Sequence, residues 1–161
     1  MNKFYFSFII FLSLAITRFI PHPPNFTSLI ALSFYVPAIF GLRYLPLVLI
    51  SYVLTDLFIG LHNTTFFTWG SVIAIGMVSK YLNSSIMIRI FGAMSGATIF
   101  FLITNYGVWF NGMYDQSLKG LAESYIMGLP FYGYNLVSAL IFSCIIEIIY
   151  FFAKHKLKYT N

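Results

Sequence analysis

Charge and cysteine are what this sequence has least of. Four acidic and nine basic residues in 161 make only 8% of the chain charged, against about 25% in an ordinary soluble domain. Cys144 is the single cysteine, which excludes an intrachain disulfide and a cysteine-rich metal site. There is no GxxxxGK[ST] loop to cradle a nucleotide, no HExxH, no GxSxG, and no pair of carboxylates at acid/base spacing. These absences argue against catalysis, and the chain is read as a non-enzyme. The formal charge of +5 comes from single basic residues between apolar runs. A nucleic-acid binder would cluster them on one wet face, so no nucleic-acid partner is expected.

What is present is apolar surface. Hydrophobic residues make up 60% of the sequence. A soluble chain of this size leaves too much of its surface wet to hide that share, so the bilayer is the expected solvent. A membrane helix needs about 20 apolar residues. Six candidate segments meet or approach this: 4–20, 26–42, 45–61, 65–82, 86–106 and 131–153. The first is read as a retained helix and not as a signal peptide, because no small-x-small cleavage site follows it. The expected fold is all-α: a polytopic bundle of about six transmembrane helices in one domain, 1–161.

The basic residues supply an orientation. With the N-terminus inside, Lys3, Arg43, Lys80, Arg89, Lys154, Lys156 and Lys158 fall on the inner side. Only Arg18 and Lys119 fall outside. That bias obeys the positive-inside rule, and it puts both termini in the cytoplasm. The expected location is therefore a membrane that the chain crosses several times. The outer connections then carry the unusual residues: PHPPNF at 21–26, HNTTFF at 62–67, and the long stretch 105–135. Within that stretch, Leu118, Leu121, Ala122, Tyr125 and Ile126 recur at helical spacing. This predicts a short amphipathic helix over 115–129, capped by Asp115, with Asp115, Lys119 and Glu123 able to pair, and stopped by Pro130. The sequons at Asn25, Asn63 and Asn83 are short enough to arise by chance.

Ionisable residues inside a membrane are expensive and mark function by default. Arg18 and Asp56 can meet, either as a structural ion pair or as the polar floor of an outward pocket. Glu147 is read as pairing with Arg89 or snorkelling. His22 and His62 suit hydrogen bonding at a pocket rim better than ligation, since no cysteine or carboxylate stands at ligand spacing. Neither metal nor cofactor is expected. Aromatics are expected at any membrane interface, but asparagines such as Asn105 are not. An aromatic wall with a few amides is what an organic ligand needs. Gly92 and Gly96 form a GxxxG step in the fifth segment. That step suits close helix packing, within the bundle in preference to dimerisation.

The blocks AITRFIPHPPNFTSLIAL, TDLFIGLH, FFLITNYGVWFNGMY and GLAESYIMGLPFYGYNL resemble a family of bacterial membrane proteins described as putative transport proteins. That family is similar in turn to the substrate-binding S components of energy-coupling factor (ECF) transporters. The resemblance covers roughly 15–145. It implies capture of a vitamin-like micronutrient from outside, then docking on a separate transmembrane coupling subunit driven by ATPases. Many S components carry AxxxA in helix one; here the corresponding step is Ser13 to Thr17. By the same resemblance, Arg18, His22, Asn25, Asp56, His62, Asn105, Trp109 and Tyr132 are expected near the pocket. The alternative is an accessory subunit of a larger membrane complex, with a solid bundle and no pocket of its own.

Overall fold

The computed structural model describes residues 3–159, with side chains over 7–154. Six helices follow one another: α1 (Lys3–Phe19), α2 (Leu29–Phe40), α3 (Leu45–Ile59), α4 (Thr65–Val78), α5 (Ile86–Phe110) and α6 (Leu118–Tyr159). A single 3₁₀ turn, Leu42–Tyr44, leads into α3. No strand occurs among the described residues. The side chains of Lys3, Lys156 and Lys158, used in the charge count, lie outside the described set.

Three helical stretches are long and apolar enough to cross a membrane: Leu42–Ile59, Ile86–Phe110 and Leu118–Lys154. Between them stand shorter apolar helices. α2 has 12 residues and α4 has 14, or roughly 18 and 21 Å at helical rise. α5, with 25 residues, is roughly 37 Å long.

The sixth helix differs from expectation. The amphipathic stretch and the last span form one continuous helix of 42 residues, with Pro130 inside it. Proline removes one backbone bond. Here its ring sits on the exposed side, and the turns before and after it continue. The start also differs. Ser117, not Asp115, caps the helix by accepting the Gly120 N–H at 3.1 Å. Lys119 and Glu123 do approach, at 3.9 Å.

The core is largely apolar, and so is much of the outer surface. Large apolar side chains such as Phe58, Phe66, Met87 and Ile149 face outward, while Ser33, Ser71, Asn135, Ser138 and Ser143 are buried. Three of these serines bond locally: Ser33 donates to the Leu29 carbonyl at 2.7 Å, Ser71 to that of Thr68 at 2.6 Å, and Ser138 to that of Asn135 at 3.0 Å. Outward apolar surface with inward polar groups is the pattern a lipid solvent selects. α2 is the centre of the core. Nine of its twelve residues are buried, Leu29 through Pro37. Gly92 and Gly96 of α5 are buried against Phe34 of α2 and Ile75 of α4 respectively: a Cβ on Gly92 would collide with the Phe34 ring, and one on Gly96 would make a tight contact with Ile75.

Candidate functional site

The site begins with Arg18, on the last turn of α1. Its Nη2 lies 2.6 Å from Asp56 Oδ1. Nη1 donates to Thr55 Oγ1 at 2.6 Å and reaches the Tyr52 carbonyl at 3.4 Å. The guanidinium stacks 4.3 Å from the Tyr52 ring centre. Tyr52, Thr55 and Asp56 are one face of α3, since residues three and four apart are helical neighbours. Asp56 is completely buried, and its Oδ2 accepts from Trp69 Nε1 at 2.7 Å. One buried carboxylate thus joins α1, α3 and α4.

Above this pair opens a cavity of about 720 Å³, within the range that holds small organic ligands. Its wall takes residues from the ends of α1, α3 and α5 and from the beginnings of α2, α4 and α6. Successive helices therefore run in alternate directions, and the cavity lies where the loops 20–28, 60–64 and 111–117 gather. Polar and apolar groups share the wall: Thr68, Thr104, Ser124 and Asn135 face the same space as Phe100, Val108, Met127 and Phe131. No aspartate or glutamate lines it.

Five of the eight residues singled out from the sequence line this cavity: Arg18, His22, Asn25, His62 and Asn105. The histidines are at the exposed rim. His22 Nδ1 donates to the Pro23 carbonyl at 2.8 Å, and His62 Nδ1 lies 3.0 Å from Thr64 Oγ1. Asn25 has φ 63°, a left-handed turn position that asparagine tolerates better than most residues. Asn105 donates to the Phe101 carbonyl at 2.9 Å and packs on Gly128 of α6, where a side chain would collide with its amide. Among the described residues, no three His, Cys, Asp or Glu side chains group closely enough to hold a metal ion.

The other three sit elsewhere. Asp56 lies behind Arg18, out of the wall. Trp109 turns its Nε1 to the Asp115 carbonyl at 3.0 Å, so it pins the 111–117 loop to α5. Tyr132 bonds to Thr98 at 2.9 Å and stacks on Phe101 with ring centres 4.7 Å apart, bracing α6 against α5. Both aromatics serve packing because their faces of α5 and α6 meet each other or the loop. Sequence reasoning placed Asn135 in the unusual outer stretch but not among the pocket residues, and it missed Ser124, Gly128 and Thr104. A signal existed: 124, 128, 131 and 135 are one helical face. Treating Pro130 as a stop cut that face in two.

At the opposite end, Arg89 and Glu147 make a two-pronged pair, with Nε to Oε1 at 2.7 Å and Nη2 to Oε2 at 2.6 Å. It ties α5 to α6 far from the cavity. No curated protein and no solved structure matches the chain. The family model described as a family of unknown function (DUF6580) matches residues 1–160, and the chain belongs to that family.

Proposed function

We propose that this chain is a membrane-embedded substrate-capture subunit for a small, vitamin-like micronutrient. The observation that carries the reading is the 720 Å³ cavity at one end of the bundle. Its mixture of amide, hydroxyl, guanidinium and aromatic groups suits an organic ligand in size and chemistry. In this reading six helices span the inner membrane, both termini are cytoplasmic, and the cavity opens outward. The seven-to-two split of basic residues supports that orientation. The sequence lacks a nucleotide-cradling loop, so energy comes from separate coupling and ATPase subunits, as the likeness to ECF S components implies. The alternative, an accessory subunit of a larger complex, calls for a bundle without a pocket, and the cavity counts against it.

The Ser13–Thr17 step bears on docking. It is occupied from within the chain: Thr17 Oγ1 lies 2.9 Å from Ser28 Oγ, and Ser28 also donates to the Ser13 carbonyl at 3.3 Å. A coupling subunit that used this step would compete with α1–α2 packing, so docking falls to another face.

Native mass spectrometry of the chain purified from membranes tests the reading. The expected result is a small-molecule adduct that Asn105→Ala removes and Trp109→Ala retains, because only Asn105 lines the cavity. A chain that flies bare, yet co-purifies in fixed ratio with a larger membrane complex, overturns it in favour of the accessory subunit.

A further inference from the structure

Three residues on the outer part of the α5–α6 wall have already used their hydrogens. Thr104 donates its hydroxyl to the Phe100 carbonyl at 2.8 Å, and Ser124 donates to that of Leu121 at 2.8 Å. A hydroxyl bonded back to its own helix has only lone pairs left to offer. Asn105 turns its Nδ2 to the Phe101 carbonyl at 2.9 Å. Its Oδ1 accepts no bond among the described residues and lies against Gly128, which is also part of the wall. All three residues line the cavity, and together they form a strip of acceptors.

Deeper in, the polar groups are donors. Asn135 lines the cavity two turns inward from Gly128 on α6, or roughly 10 Å at helical rise. Its Oδ1 is sealed from solvent, so the amide N–H groups are the polar end it can present. Arg18 also lines the cavity. A guanidinium has donors and no acceptor, and the bonds to Tyr52, Thr55 and Asp56 leave its Nε–H over. Phe131 on α6 and Phe100 on α5 stand between the two levels. Charge is matched in this wall. Asp56 sits 2.6 Å from Arg18, and no carboxylate lines the cavity. The ends of three helices share it with the beginnings of three others, so their dipoles offset. An ion would lose its water with no counter-charge to receive it, which is costly.

On the ligand-capture reading, we infer that the cavity takes a neutral molecule with two unlike ends: an N–H or O–H donor at the outer end and a carbonyl-type acceptor at the inner end. The donor end bonds to Asn105 Oδ1 and to the hydroxyl oxygens of Thr104 and Ser124. The acceptor end receives the amide hydrogens of Asn135 and the Nε–H of Arg18. The apolar body between them lies on Phe100 and Phe131. Gly128 leaves Asn105 its place in the wall, because a side chain there would collide with the amide.

Four probes of one shape test each end. 4-Aminoacetophenone carries both donor and acceptor. Its N,N-dimethyl derivative lacks the donor, 4-ethylaniline lacks the acceptor, and 4-aminobenzoate adds a charge. Each is titrated into the full-length, ¹⁵N-labelled chain in nanodiscs, with affinity read by NMR from the amide shifts of cavity residues. 4-Aminoacetophenone is expected to bind about tenfold more tightly than each of the others, since each leaves a buried group unpaired or a charge unmatched. Asn105→Leu is expected to weaken 4-aminoacetophenone about tenfold and to leave the N,N-dimethyl derivative nearly unchanged. General loosening of the fold would not produce that coupling. Thr104→Val is expected to act in the same direction, and it serves where Asn105→Leu does not fold. Equal or tighter binding of any of the other three probes overturns the neutral, donor-bearing assignment and leaves ligand capture standing. Failure of all four to bind at millimolar concentration overturns it too, and ligand capture is then judged separately by the mass-spectrometric adduct.

Discussion

Arg18 and Asp56 show how one residue can hold several helices in register. Asp56 is fully buried and reached by α1 through Arg18 and by α4 through Trp69. Removing one member of such a pair strands the other charge away from water. Arg18→Met is therefore expected to destabilise the protein by about 3–5 kcal/mol. Arg18→Met with Asp56→Leu should recover most of that loss, since two apolar residues leave no stranded charge. Thermal unfolding in detergent measures both, and a double variant no more stable than the single one contradicts this account. The sequence made the pairing foreseeable, because ionisable residues at membrane depth seek each other. It did not reveal that Asp56 stands behind the arginine and out of the cavity. That depends on how far α1 and α3 are rotated about their axes.

At the scale of the element, contact between helices decides which glycines matter. Gly92 meets the ring of Phe34, which is itself fully buried and has no room to move. Gly92→Ala is expected to cost about 1–3 kcal/mol by overpacking. Gly133 of α6 has nothing within 4 Å of a would-be Cβ. Gly133→Ala is expected to be neutral or stabilising by up to about 1 kcal/mol, the difference in helix propensity. Paired unfolding curves check the contrast; equal effects at the two positions would refute it. The GxxxG spacing marked Gly92 and Gly96 in advance, but nothing in the spacing told that Gly92 is the tighter of the two. α6 teaches the same lesson about Pro130. A proline read locally ends a helix. With its ring on the exposed side of a helix packed against α5 along its length, it removes one bond and the helix continues.

For the whole molecule, alternate helix direction puts the cavity at one end and the Arg89–Glu147 pair at the other. The proposed orientation predicts labelling from opposite sides of the membrane. In a Cys144→Ser background, Lys119→Cys is expected to react with an impermeant maleimide on intact cells, and Arg43→Cys only after permeabilisation. The reverse pattern would invert the topology and close the outward route to the cavity. Composition with the length of the apolar runs determined an all-helical chain with helices long and apolar enough to cross a membrane, because 60% hydrophobic residues with 8% charge gather into such runs. The apolar runs located the first five helices to within about four residues, since helix length and turn residues are local properties, but they cut α6, Leu118–Tyr159, at Pro130. Tertiary structure decided what those runs do. The ends of α1, α3 and α5 and the beginnings of α2, α4 and α6 come together around a cavity. The use of Ser28 by α1 leaves the start of α2 uncapped. The close approach of α5 and α6 turns Tyr132 into a brace and brings Asn135 to the wall. Each of these depends on which face of one helix meets another, a relation between distant segments that no local stretch of sequence contains.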